Sequence, residues 1–201
     1  MCFSLFCNLL MVHLVGDFYL QSDRTCTEKQ NLGFHSKSLY VHGILVFILS
    51  WLAFASWKFW WMALIVGFTH LLIDGIKSRC GNNLRMFIID QLAHVSILAV
   101  VSWVATMNFG WRQLDFIPDN RMFVLVLLSF LICAKPANVF IKTVLRAYSI
   151  DNQDKEEQSP FKAGSLIGTI ERWLILVFVI LGQYEAVGFL LAAKSIIRFK
   201  D

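Results

Sequence analysis

Long apolar stretches separated by short polar loops make up most of the sequence. A membrane-spanning helix needs about 20 mostly apolar residues, and the pattern predicts six spans and a return segment at 185–198. Pro136 lies inside the fifth span and removes a backbone donor, which predicts a kink beyond Leu131. We therefore expect an all-α, polytopic integral-membrane helix bundle with six to seven membrane segments. The whole chain, 1–201, should form a single domain that includes a C-terminal helical hairpin. The predicted spans are 3–20, 39–56, 59–78, 86–107, 121–142 and 170–183.

The composition supports a membrane protein and excludes several other classes. Of the 201 residues, 57% are hydrophobic and 16% are charged, whereas ordinary globular domains have about 45–50% and about 25%. A water-soluble domain of this size could not cover that much apolar surface, and a disordered chain would need low hydrophobicity. The net charge of +4 is spread along the chain without a dense basic stripe, which argues against a nucleic-acid partner. The lipid bilayer is therefore the first expected partner.

The orientation follows from the basic residues of the loops. The connection at 77–85 contains Lys77, Arg79 and Arg85 and no acidic residue. Short loops rich in lysine and arginine stay in the cytoplasm, so we place this connection there. Alternation along the chain then places loops 21–38 and 143–169 on the same side.

Polar side chains inside the apolar spans are the most informative feature. His13 precedes Asp17 by four positions, His70 precedes Asp74 by four, and Asp90 and His94 repeat the spacing in reverse order. Residues four apart lie on the same face of a helix, and two ligands on one face suit a metal ion. An aspartate near the centre of a membrane helix costs about 2.5–3.5 kcal/mol on insertion scales, so these aspartates need a compensating partner.

The predicted topology brings these groups to one side of the membrane. With His42, they come from four helices, all within the cytoplasmic half, which predicts a shared cavity. Imidazole and carboxylate ligands suit Zn, Mn or Fe, and the number of groups allows one or two ions. The alternative is a set of hydrogen bonds that hold the helices together. The candidate metal ligands are His13, Asp17, His42, His70, Asp74, Asp90 and His94, of which Asp17 and Asp90 are also the candidate catalytic residues.

A second polar set lies in the C-terminal half of the sequence. Lysine, arginine and asparagine side chains beside a metal cavity suit an anionic group such as a phosphate. The alternative is that these long side chains extend from helix ends to the lipid headgroups. The candidate substrate-binding residues are Lys135, Asn138, Glu171, Arg172, Lys194 and Arg198.

Several segments resemble a known family. The stretches "HLVGDFYLQSD", "HGILV", "HLLIDGIKSR" and "FIIDQLAHV" resemble the bacterial membrane proteins grouped as domain of unknown function 3307 (DUF3307). The segment "GTIERWLILVFVILGQYEAVGFLLAAKSIIRF" is similar to the C-terminal part of the longer members. The resemblance implies a multi-pass protein of the bacterial inner (cytoplasmic) membrane, and it implies no settled activity.

The His-x-x-x-Asp pattern also resembles, more loosely, inner-membrane metal-dependent hydrolases. That resemblance implies metal binding by His13, Asp17, His70, Asp74, Asp90 and His94. Our leading hypothesis is a hydrolase that acts on an amphiphilic or lipid-linked phosphoester from the cytoplasmic side. The alternatives are a transporter for a divalent cation or small anion, and a non-catalytic membrane anchor.

Overall fold

The computed structural model describes residues 2–54, 56–81, 83–109, 121–148 and 158–198, and every element in these ranges is helical. A π-helical segment, Val15–Tyr19, continues the first helix, and 3-10 turns occur at Gly33–His35 and Trp57–Phe59. The all-α prediction is therefore confirmed for the described residues. The helices are α1 (Cys2–Leu14), α2 (Asp23–Leu32), α3 (Lys37–Phe54), α4 (Trp60–Cys80), α5 (Leu84–Phe109), α6 (Arg121–Cys133), α7 (Lys135–Ala147), α8 (Gln158–Ile180) and α9 (Tyr184–Arg198).

The described residues contain fewer membrane spans than the six to seven predicted. Four segments are long and apolar enough to cross a membrane, namely 37–54, 57–80, 84–107 and 122–147. A fifth is counted only if the first helix and α2, bent by 87° at their break, form one span. α9, which covers the predicted return segment, has only 15 residues, about 22 Å against a hydrocarbon core of about 30 Å. In α8, Glu171 and Arg172 interrupt the apolar run.

The predicted loop 21–38 is mostly a polar helix, α2. Ser22 is its N-cap, and the Ser22 hydroxyl accepts a hydrogen bond from the Thr25 backbone N–H at 3.3 Å. Its composition is too polar for a membrane interior, so α2 turns aside from the span before it. The predicted loop 143–169 is also shorter than expected, because α7 continues to Ala147 and α8 already begins at Gln158.

The fifth predicted span breaks where its proline predicts. Ala134 separates α6 from α7, and Pro136 occupies the first turn of α7. Backbone carbonyls at the break bind side chains from distant parts of the chain. The Tyr19 hydroxyl donates to the Leu131 carbonyl at 2.8 Å, and the Trp173 indole donates to the Phe130 carbonyl at 3.1 Å.

The tightest helix packing is between α3 and α4. A Cβ atom added to Gly67 of α4 would lie 2.7 Å from the Phe47 Cβ and 3.1 Å from the Gly43 carbonyl of α3. Only glycine permits this approach, which brings the polar faces of both helices together. The buried apolar core joins α1, α3, α4 and α5 and includes Leu5, Leu9, Val46, Met62, Val66 and Leu98.

Candidate metal centre

The seven predicted metal ligands come together at one end of the bundle, and we call them the polar cluster. They extend from the end of the first helix, the beginning of α3, the end of α4 and the beginning of α5. No side chain among them is more than about a tenth exposed. The convergence of charged and polar groups from four helices in an apolar bundle agrees with the sequence prediction. The cluster consists of His13, Asp17, His42, His70, Asp74, Asp90 and His94.

Asp17 lies at the centre of the polar cluster because of the π-helical segment that contains it. The Leu20 backbone N–H donates to the Val15 carbonyl at 3.0 Å, five residues back. This wider turn is a common feature of functional sites in helices. It presents the Asp17 carboxylate to α3 and α4 rather than to the next turn of its own helix.

Asp17 forms a compact triangle with two histidines. The Asp17 Oδ1 atom lies 3.2 Å from the His42 Nε2 atom and 3.2 Å from the His70 Nε2 atom. The two Nε2 atoms are 2.9 Å apart, so one ring donates to the other. Two imidazoles and one carboxylate on three separate helices thus present their ligand atoms to one point.

Two lysines that the sequence analysis did not assign to the site neutralise the other aspartates. The Lys29 ammonium of α2 is buried and forms an ion pair with the Asp74 carboxylate. The Lys77 ammonium lies 2.6 Å from the Asp90 Oδ2 atom. Lys77 belongs to the basic loop that indicated the orientation. Lys29 gave no comparable signal, because its contact depends on the bend between the first helix and α2.

Charge is incompletely balanced at Asp17. In the described part of the chain, its ion-pair partners are the imidazoles of His13, His42 and His70, and no lysine or arginine is among them. A buried carboxylate requires a positive partner. A proton on one imidazole or a bound cation would supply it.

His13 and His94 are among the most buried members of the polar cluster. Their rings stack with centroids 5.0 Å apart, and the His70 and His94 centroids are 4.2 Å apart. The His94 Nδ1–H donates to the Asp90 backbone carbonyl at 2.9 Å. The Nε2 atoms of both His13 and His94 are buried without a hydrogen-bond partner in the described structure. The two rings line a small cavity of about 10 Å³.

Three of the predicted substrate-binding residues form contacts near the break between α6 and α7. The Arg172 Nε atom donates to the Cys133 carbonyl at 2.7 Å, and one of its terminal nitrogens donates to the Asn138 Oδ1 atom at 2.6 Å. These contacts use much of the hydrogen-bonding capacity of Arg172 and Asn138. The Lys135 ammonium instead lies 5.5 Å from the centre of the Tyr19 ring. Tyr19 follows Asp17 by two residues.

The remaining predicted substrate-binding residues lie on the C-terminal hairpin. Glu171 of α8 and Lys194 of α9 form an ion pair with each other. Arg198 ends α9, and its side chain lies outside the described residues. Among the described residues, this ion pair does not contact the polar cluster.

The fold and the site together define an α-helical membrane protein with a buried histidine–aspartate centre. The family model described as "Protein of unknown function (DUF3307)" matches residues 5–123, which is more than half of the chain. The chain belongs to the DUF3307 family, as its four motif segments predicted. No curated protein and no solved structure matches it. The looser resemblance to metal-dependent hydrolases finds no support in these comparisons.

Proposed function

We propose that this protein is a metal-dependent hydrolase of the bacterial inner membrane that acts on an amphiphilic or lipid-linked phosphoester from the cytoplasmic side. The observation that supports the proposal most is the triangle of Asp17, His42 and His70, whose ligand atoms are 2.9–3.2 Å apart. Tetrahedral ligand atoms around zinc, at bond lengths of about 2.0–2.1 Å, are separated by roughly 3.3–3.4 Å. The triangle therefore has the donor types of a divalent metal site, and its atoms would need to move apart by only a few tenths of an ångström to hold the ion.

The charge of the polar cluster supports the same proposal. Lys29 and Lys77 offset Asp74 and Asp90, whereas Asp17 faces only imidazoles in the described structure. A divalent cation at the triangle would neutralise Asp17 and leave one positive charge in excess. That excess would attract an anionic substrate.

The residues of the chain have distinct parts in the proposed reaction. His42, His70 and Asp17 would hold the metal, which when bound makes its water a stronger nucleophile by lowering the water pKa. Asp90, whose Oδ1 atom is buried without a hydrogen-bond partner among the described groups, would accept a proton. Lys135 is the most available of the predicted substrate-binding residues, because it is exposed and lies over Tyr19. It would hold the phosphate of a lipid-like substrate.

The first experiment measures the metal content of the purified protein in detergent by elemental analysis. We expect at least one equivalent of Zn, Mn or Fe in the wild type and its loss in His42→Ala and His70→Ala. His35→Ala is the matched control, because His35 is exposed on the turn after α2. Wild-type protein without metal, even after incubation with these ions, would overturn the proposal.

The second experiment tests the reaction itself. Phosphate or headgroup release from lipid-linked phosphoesters in mixed micelles should require the wild-type triangle and the metal. Activity that persists in His70→Ala at the level of the His35→Ala control would contradict the assigned role.

One observation favours a second candidate function, transport of a divalent cation. The polar cluster is enclosed, with each side chain largely buried, and intramembrane histidine and aspartate groups also mark ion pathways. Metal uptake into proteoliposomes would distinguish the two functions. Uptake without phosphoester hydrolysis would favour the transporter, and neither activity would favour a non-catalytic membrane anchor.

A further inference from the structure

We infer that His13, Asp17 and His94 bind a second divalent cation, and that Asp17 is the carboxylate shared by both ions. The inference rests on the proposed function, because it adds an ion to the triangle of Asp17, His42 and His70. One ligand atom from each of His13, Asp17 and His94 lies within 4.8 Å of the others. These two groups meet at Asp17. A third group, His70, Asp74 and His94, has the same spacing, but its carboxylate already forms an ion pair with Lys29.

The strongest support is a pair of unused nitrogen atoms. The Nε2 atoms of His13 and His94 have no hydrogen-bond partner in the described residues, although the two histidines are only 2% and 3% exposed. A buried polar atom without a partner costs about 1–3 kcal/mol. Both rings line one small cavity, together with His70, Thr69 and four apolar side chains, so the two unpartnered nitrogens indicate a missing polar occupant. Asp17 does not line the cavity, but one of its oxygens lies within 4.8 Å of a ligand atom of each histidine.

The hydrogen bonds of His94 favour a cation as that occupant. Its Nδ1–H donates to the Asp90 carbonyl at 2.9 Å, so the Nε2 atom carries a lone pair. Metal-binding histidines usually donate their other N–H to a carbonyl or carboxylate in this way. The His13 Nδ1 atom lies 3.7 Å from the Asp17 Oδ1 atom, which is too far for a hydrogen bond and leaves room for a cation between the two groups.

Asp17 is suited to a shared role. An ionised carboxylate has two oxygens and about four lone-pair sites, and Asp17 already faces His13, His42 and His70. Paired ions about 3.5–4 Å apart stabilise both the attacking and the leaving oxygen in phosphoester displacement. With Lys29 and Lys77, two divalent cations would exceed the charge of the three aspartates. The site would therefore favour a multiply charged anion, such as a phosphate monoester, over a singly charged phosphodiester.

The test is a count of bound Zn²⁺ in detergent-purified full-length protein, for the wild type and for variants of each group. We expect two equivalents in the wild type, one in His13→Gln and in His94→Gln, and none in Asp17→Asn. His35→Gln and Asp23→Asn are matched controls, because both residues are exposed, and each should retain two equivalents. One equivalent in the wild type, unchanged in His13→Gln and His94→Gln, would overturn the second ion while leaving the proposed function standing. That result would leave a single water as the occupant of the cavity.

A second measurement needs no variant and covers the case in which a substitution prevents folding. Wild-type protein loaded with Mn²⁺ should give the electron paramagnetic resonance spectrum of two spin-coupled ions. The spectrum of isolated Mn²⁺ would contradict the shared carboxylate. A protein that binds neither Zn²⁺ nor Mn²⁺ would overturn the proposed function, and the second ion with it.

Discussion

The two parts of the chain on either side of residues 110–120 use polar residues in opposite ways. In the span Trp57–Cys80, 44% of the most apolar window is buried in the protein, whereas in Met122–Ala147 only 6% is. The N-terminal part encloses seven histidine and aspartate side chains. In the C-terminal part, Arg172 and Trp173 donate hydrogen bonds to backbone carbonyls near the break between α6 and α7.

The difference shows that residue type alone does not identify a binding site in a membrane bundle. In the C-terminal part, the polar groups of Arg172, Asn138 and Thr169 bind one another or backbone carbonyls. In the N-terminal part, the Nε2 atoms of His13 and His94 remain unpartnered in the described structure. The unmet hydrogen-bonding and charge requirements therefore lie in the N-terminal part, which is why the proposed metal site is placed there.

The largest expected effect comes from removing the lysine that neutralises Asp74. Lys29→Met would leave the Asp74 carboxylate buried without its cation, and breaking a buried ion pair destabilises a protein by about 3–5 kcal/mol. We expect a clear drop in the melting temperature of the metal-free protein in detergent. Added Zn²⁺ should recover part of the loss, because a cation can replace the ammonium. Lys37→Met is the matched control, because Lys37 is exposed. Equal melting temperatures for the two variants would show that the ion pair between Lys29 and Asp74 contributes little to stability.

A smaller effect is expected from Arg172→Ala in the C-terminal part. The variant loses hydrogen bonds to the Cys133 carbonyl and to Asn138. Because Arg172 is only half-buried and water can replace part of these bonds, the total loss should be about 1.5–3 kcal/mol. We expect lower thermal stability with unchanged metal content. Arg146→Ala, at an exposed position, is the control. A loss of metal in Arg172→Ala would mean that the two parts of the chain are coupled.

A pair of glycine substitutions tests the packing difference directly. Gly67→Ala would place a Cβ atom 2.7 Å from the Phe47 Cβ, whereas Gly188→Ala would meet nothing within 4 Å. Overpacking costs about 1–3 kcal/mol, so Gly67→Ala should melt earlier and bind metal more weakly. Gly188→Ala should leave the melting temperature unchanged or raise it slightly, since alanine favours helix. Equal effects of the two substitutions would show that α3 and α4 can move apart easily.

The smallest effect is expected at the ion pair of the hairpin. Lys194 is 53% exposed and its partner Glu171 is 25% exposed, and exposed pairs contribute about 0.2–1 kcal/mol. Lys194→Ala should change the melting temperature little and the metal content not at all. A large loss of stability would place this pair in an apolar environment and would argue for a hairpin embedded in lipid.

The polar cluster could be predicted from the sequence because its members repeat at helical spacing. The i, i+4 pairs fix a face of each helix, and the alternation of loops fixes the end of the bundle, so the meeting of His13, His70 and His94 needed no further information. Lys29 was missed because it reaches Asp74 only through the bend after the first helix. Its own segment has a polar pattern typical of a loop.

The C-terminal part was harder to predict for a related reason. The effect of Pro136 on its helix is local and was visible in the sequence. The partners of the freed carbonyls are not local, because Tyr19 and Trp173 lie on other helices. Short apolar runs also gave no clear distinction between a span and a surface hairpin.

The π-helical turn at Val15–Tyr19 makes the site unusually sensitive to chain length. The turn contains one residue more than an α-helical turn would need, and successive residues of an α-helix are rotated by about 100°. Deleting Val15 or Gly16 would restore ordinary helix and rotate the Asp17 carboxylate, relative to α1, away from His42 and His70. The bundle could survive such a deletion with its apolar core intact, yet it would lose the carboxylate that lies beside His13, His42 and His70.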